Sequence, residues 1–226
     1  KQGEGAVVVK KKLLIFGTGF LGEIAGYYFS TDSEYTLVGY VNEPDFVVPN
    51  SEILGVPVLE TNKAITQYKP QDVTFFVAIG YRKTNTVRQK RHGQLKDLGY
   101  SFASYISSRA TVLSHTIGEN CFILENNVIQ PFSRIGNNVT MWSGNHLGHH
   151  SVIEDNVFIA SHAVISGNCR IGRNSFLGVN CCLHDGVQIG EKSVVGASAI
   201  VGDSCEPRSV FNPQRTLPRT IKKDII

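Results

Sequence analysis

Two groups of residues in this chain have types and spacings suited to chemistry. The first is Gly17-Thr18-Gly19-Phe20-Leu21-Gly22, three glycines in the order G-x-G-x-x-G. Glycines so spaced let backbone N–H groups approach a phosphate at the mouth of the helix that follows. Glu43 comes twenty-one residues after Gly22, close to where an acid that accepts from a ribose hydroxyl is expected. The second group is a run of histidines, His146, His149, His150 and His162. An imidazole titrates near neutrality and is the commonest side chain for taking a proton from a nucleophile. The cluster His146, His149 and His150 also invites a metal. Its members sit near turns and lack the added Cys or carboxylate of a closed site, so no metal is expected.

The glycine turn needs a strand before it and a helix after it. Leu13 to Phe16 is an apolar run that reads as a buried parallel strand, and Glu23 to Phe29 reads as the helix. A second strand, Tyr35 to Val41, ends in Asn42-Glu43. Further strands are expected over Val56 to Leu59 and Val73 to Ile79, the latter ending in Gly80-Tyr81. A polar helix is expected from about Thr84 to Leu98, and the run Ser101 to Ile106 closes a small parallel sheet. This α/β unit of roughly a hundred residues is domain-sized and suits one nucleotide-binding half. Gly17, Gly19, Gly22, Asn42, Glu43, Gly80 and Tyr81 are its candidate substrate contacts. Two other readings stand beside this one: a turn that merely packs helix on strand, and a nicotinamide enzyme. Little chain remains outside the repeat for a hydride-transfer substrate domain.

The histidines fall inside a repeat. From Ile117 to Glu206 the chain divides without interruption into fifteen hexads, each beginning with Ile, Leu, Met or Val. The fifth place holds only Cys, Asn, Ser, Val or Ala. Such a period marks a solenoid. Three hexads make a coil of eighteen residues, so five coils are expected. The leading aliphatic and the small fifth residue point inward, Gly and Asn give the corners their backbone freedom, and stacking buries what one coil cannot. The expected domains are 11–106, a Rossmann-like α/β unit; 107–210, an all-β parallel β-helix with Ser107 to Thr116 as the joint; and 211–226, a tail.

Composition narrows the function. A net charge of +3 is too small to suggest nucleic acid. No apolar run is long enough to span a membrane, and no secretory leader is recognisable. The first residues, KQGEGAVVV, read as an appended or frayed end. Of five cysteines, Cys121, Cys169, Cys181 and Cys205 occupy fifth places and read as core filler, while Cys182 faces out. Disulfides and zinc are unsupported, and a reducing cytoplasm fits.

A small Rossmann-like unit followed by an unbroken hexapeptide helix resembles the sugar acyltransferase family, which includes enzymes that N-acetylate 4-amino nucleotide sugars and sialic-acid O-acetyltransferases. The resemblance runs from Lys11 to about Ser209 and is most specific along GHHSVIEDNVFIASHAVISGNCRIGRNSFLG. It implies a left-handed β-helix, although parallel crossovers are normally right-handed. It also implies a homotrimer with acetyl-CoA as co-substrate between subunits, and a nucleotide sugar on the glycine turn. By position it puts the general base at His149, a backbone donor to CoA at Gly167, the nucleotide acids at Asn42 and Glu43, and a residue near the acetyl group at Phe158. The chain departs from the family in several places. His150 stands where an acid usually orients the base. Phe158 replaces a histidine, leaving His162 as a candidate substitute. Phe20-Leu21 replaces Gly-His, and Asn42 replaces an acid.

Acyl transfer needs a base and a donor for the oxyanion, and a backbone N–H serves the latter. Direct attack is expected, since no Ser or Cys sits in an elbow or triad pattern. The implied activity is N-acylation of an amino nucleotide sugar. The alternatives are O-acylation of a sugar hydroxyl and a non-catalytic trimeric scaffold.

Overall fold

The computed structural model describes residues 11–213. The readings of residues 1–10 and of the tail beyond 213 fall outside them. The N-terminal sheet comprises β1 (Lys11–Phe16), β2 (Tyr35–Asn42), β3 (Glu52–Ile53), β4 (Val56–Glu60), β5 (Thr74–Val77) and β6 (Ser101–Phe102), in the order β3-β4-β2-β1-β5-β6. All pairs are parallel except the β3–β4 hairpin. Helices α1 (Phe20–Thr31), α2 (Thr61–Gln67) and α3 (Thr86–Asp97) flank it. The central strand reads Leu13-Leu14-Ile15-Phe16 because both of its faces are covered, and these four residues are almost wholly buried.

Two details differ from the sequence reading. The run Ser101 to Ile106 is two strands, not one. Ser101–Phe102 ends the N-terminal sheet, whereas Tyr105–Ile106 pairs with Phe122–Ile123 in the β-helix. The segment 107–116 is already coil, since Thr111–Val112 pairs with Val128–Ile129. The helix therefore begins a coil earlier than the unbroken hexads, because an opening coil has no neighbour below it to demand the full pattern.

Every strand of the helix is two residues long, and all pair in parallel at a spacing of eighteen through the hexads. They form three faces of a triangular prism. The first face runs from Tyr105–Ile106 to Val210–Phe211, the second from Thr111–Val112 to Ile200–Val201, and the third from Arg134–Ile135 to Gln188–Ile189. The leading aliphatics from Ile123 to Val201 are at most 2% exposed. The fifth places are buried as expected from Cys121 to Ala199, while Cys205 and Cys182 are half-buried. The fourth place is the corner, and its backbone is left-handed at each hexad from Asn120 to Ser198. Asn is abundant there because its short side chain tolerates that conformation best.

The N-terminal layer lies on the first face. Tyr105, Phe122 and Leu124 share a core with Leu13, Ile15, Phe29 and Phe76. Along one edge of that face a ladder of corner asparagines runs from Asn120 to Asn138 (2.6 Å) and on to Asn156 (2.7 Å). Asn120 also accepts from the Val77 N–H at 2.7 Å. Arg88 of α3 is wholly buried here and donates to the carbonyls of Ile79, Gly80, Asn138, Asn156 and Val157 at 3.1–3.4 Å. Burial pushes its guanidinium down to about 9, which leaves it charged at neutral pH.

Candidate active site

The glycine turn lies at the C-terminal edge of the N-terminal sheet, and its three glycines differ in what they do. Gly17 has φ +126°, and a Cβ there would fall 2.5 Å from the Ala78 carbonyl. A Cβ on Gly22 would collide with the Gly17 carbonyl. Both are therefore demanded by the close approach of strand and helix. A Cβ on Gly19 would meet nothing within 4 Å. Gly19 caps α1 with no side-chain partner, so the helix mouth is open to a phosphate.

Asn42 and Glu43 sit beside this turn with different tasks. Asn42 Nδ2 donates to Thr18 Oγ1 at 2.7 Å, and Asn42 Oδ1 accepts from the Glu43 N–H at 2.9 Å. Its side chain braces the turn. Glu43 stays partly exposed and pairs with Arg91, whose guanidinium lies 4.4 Å over the Phe16 ring. Phe16, Glu43, Lys90 and Arg91 line a cavity of about 280 Å³. Sequence reading missed Lys90 and Arg91, and the one available signal was the cationic character of α3. Gly80 is open on its Cα side, and Tyr81 rests on Phe158 and Phe176 with ring centroids 5.1 and 4.8 Å away.

Of the histidine group, His149 and His150 lie at the corner between the second and third faces. A Cβ on Gly167 would fall 2.6 Å from His149 Cε1, 2.8 Å from His149 Nε2 and 2.8 Å from Asp185 Oδ1. The imidazole thus lies over the bare Gly167 backbone one coil on, as the eighteen-residue spacing predicts. The Gly167 N–H has no partner among the described residues. The His149 N–H is held by Gln130 Oε1 at 2.9 Å, and His149 Nδ1 lies 3.1 Å from His150 Nδ1. Gln130, Phe132 and Asp185 join this corner unforeseen, because each is an ordinary repeat position until the stacking of coils is known.

Other candidates lie elsewhere in the chain. His162 occupies the corner between the first and second faces, packed over Gly144. His146 is on a strand of the second face. Phe158 is 4% exposed beneath Tyr81, on the face that the N-terminal layer covers. Nine residues separate Phe158 from His149; that is one and a half hexads, which turns a side chain to another side of the prism. Cys121, Cys169 and Cys181 offer no nucleophile. Burial pushes the Cys121 thiol up to about 11 and Cys181 up to about 12, and raises Cys169 as well. Among the described residues no group of three His, Cys, Asp or Glu is gathered as a metal site, and no helix is long and apolar enough to cross a membrane.

The hexapeptide region matches the bacterial transferase hexapeptide (six repeats) family over residues 114–149, 133–167, 150–184 and 168–203. The likeness extends through the N-terminal layer. The perosamine N-acetyltransferase of Caulobacter crescentus, solved with CoA and GDP-perosamine, is 25% identical. The match covers 88% of this chain and 92% of that one, with a TM-score of 0.76. The hexapeptide repeats and this likeness across both layers make the chain an acyltransferase similar to the sugar acyltransferases of the hexapeptide-repeat class. In fold, this acyltransferase also matches the acetyltransferase domain of PglB from Neisseria gonorrhoeae (24% identity, 92% and 100% coverage, TM-score 0.78). WeeI from Acinetobacter baumannii matches at 22% identity, with 88% and 95% coverage and a TM-score of 0.75. No curated protein sequence matches significantly. The left-handed helix and the Rossmann-like layer expected from the sequence are thereby the fold of this acyltransferase.

Proposed function

We propose that the protein transfers an acetyl group from acetyl-CoA to the amino group of a nucleotide-linked sugar, with His149 as general base, in a homotrimer. The observation that carries this reading is the His149 imidazole lying over the bare backbone of Gly167, in a fold whose 25%-identical relative was solved with CoA and GDP-perosamine. The acceptor nitrogen attacks the thioester carbonyl carbon while His149 Nε2 takes the nitrogen's proton. The Gly167 N–H is a free donor to the thioester or its oxyanion. The C–S bond then breaks, and the proton passes from His149 to the departing thiolate. A cytoplasmic setting accords with five free cysteines.

The placement of the two groups supports the trimer. The nucleotide turn belongs to the layer on the first face, whereas His149 lies on the corner between the other two. A nucleotide held at Gly19 is therefore on the far side of the prism from its own His149, and a neighbouring subunit's His149 must serve it. Gly19→Val places a branched side chain at the open helix mouth and should weaken nucleotide-sugar binding while leaving acetyl-CoA binding unchanged. Co-expression of Gly19→Val with His149→Asn subunits should restore part of the activity that each lacks alone. Mixed trimers as inactive as the parents would contradict the shared site. Light scattering that gave a monomer at micromolar concentration would contradict the trimer.

A further inference from the structure

The corner that carries His149 departs from the repeat in a way the fold does not require. The left-handed fourth place is Asn or Gly at most corners from Asn120 to Ser198; the exceptions are Phe132, His150, His162, Lys192 and Ser198. Left-handed backbone is unfavourable for residues with a bulky Cβ substituent. Phe132 (φ +63°) and His150 (φ +59°) are successive members of one corner column, at the coils on which His149 depends. Phe132 is also 74% exposed in the single chain, so burial within its own subunit does not offset its conformation. What it contacts is His150: the two rings lie 4.8 Å apart at a tilt of 33°. His150 in turn presents Nδ1 to His149 Nδ1 at 3.1 Å.

We propose that Phe132 and His150 are positioning residues, Phe132 stacking His150 in place and His150 holding the His149 ring by one proton shared between their Nδ1 atoms. This rests on His149 as the base. Two imidazole nitrogens at hydrogen-bond distance require one to carry the proton. With the proton on His149 Nδ1, the His149 Nε2 lone pair is free to take a proton from the acceptor, and His150 keeps its own proton on Nε2. With the proton on His150 Nδ1, His149 must carry its proton on Nε2 and cannot act. A carboxylate partner would enforce the first arrangement; a second imidazole admits both. Adding one proton to the pair occupies both Nε2 atoms and stops the reaction, and the charge is then shared by two rings. Asp185 faces His149 across the Gly167 gap, the Gln130 amide holds its backbone, and His115 and Arg134 line the groove beside Phe132.

The test uses substitutions that restore the repeat's own corner residue and therefore keep the fold. Phe132→Asn and His150→Asn should leave the melting temperature of the trimer unchanged or raise it. Each should lower kcat by at least about tenfold, the low side of what a positioned base contributes, with KM for acetyl-CoA unchanged. His150→Glu should recover activity and move the acid limb of the pH–rate profile to higher pH, because a carboxylate stabilises the His149 imidazolium. Ring 15N signals of the unliganded protein should show the two imidazoles titrating as one coupled pair, and Phe132→Asn should uncouple them. Independent titration of the two rings, or wild-type kcat in both Asn variants, would overturn the proposal. A His149→Asn variant at full rate would instead remove the base assignment, and the 15N coupling would still decide whether the rings share a proton.

Discussion

His149→Asn should lower kcat by roughly 10²–10⁴-fold, the contribution of a positioned general base, while the trimer forms and acetyl-CoA binds as before. Asn is close to His in shape but has no lone pair that titrates near neutrality, so it fills the space over Gly167 without taking the proton. The cost belongs to the chemical step, because the imidazole lies against Gly167 and Asp185 of its own chain and contributes nothing to the buried core. Single-turnover rates at saturating acetyl-CoA separate this loss from binding. His162→Asn, at a different corner of the prism, should lose less. A His149→Asn rate within about threefold of wild type, on a scale where tenfold is roughly 1.4 kcal/mol, would place the base elsewhere.

Arg88→Ala should be the most destabilising of the substitutions considered, by about 3 kcal/mol or more. Arg88 is fully buried without a carboxylate and donates to five backbone carbonyls, two at the end of the N-terminal sheet and three in the β-helix. Removing it strands several of these acceptors, each costing about 1–3 kcal/mol when left unpaired in the interior, and leaves a cavity beside Phe158. Arg88→Lys should recover only part of the loss, since an ammonium cannot fork across both layers. Denaturation midpoints at fixed protomer concentration measure it. An Arg88→Ala midpoint equal to wild type would mean that the two layers hold together without this residue.

The hexads made the prism legible because a coil of eighteen residues leaves no freedom in register. The leading aliphatics and fifth places of the sequence are the buried core, and the same period stacks Gly167, eighteen residues on, against His149. The glycine turn was legible for a similar reason: local backbone geometry demands Gly17 and Gly22. The first coil was missed because Ser107 to Thr116 carries no regular hexad. Tyr105–Ile106 was joined to the wrong sheet because two strands separated by Ala103-Ser104 read as one apolar run. Lys90, Arg91 and Arg88 were hidden in a polar helix whose side chains acquire meaning only when α3 is laid against β5 and the asparagine ladder. Asn42 occupies the nucleotide-acid position of the resemblance, and its two polar atoms are engaged by Thr18 of the turn and by the Glu43 N–H.

Acyl transfer from a CoA thioester to an amino nucleotide sugar is read out by thiol release. The protein is incubated with acetyl-CoA and a panel of nucleotide sugars that differ only in carrying an amino group, a hydroxyl group or neither at the acceptor carbon. The account predicts CoA release that requires the amino sugar, saturates with it, and disappears in His149→Asn. Release only with hydroxyl acceptors would make the protein an O-acyltransferase, and no release with any member of the panel would contradict the account.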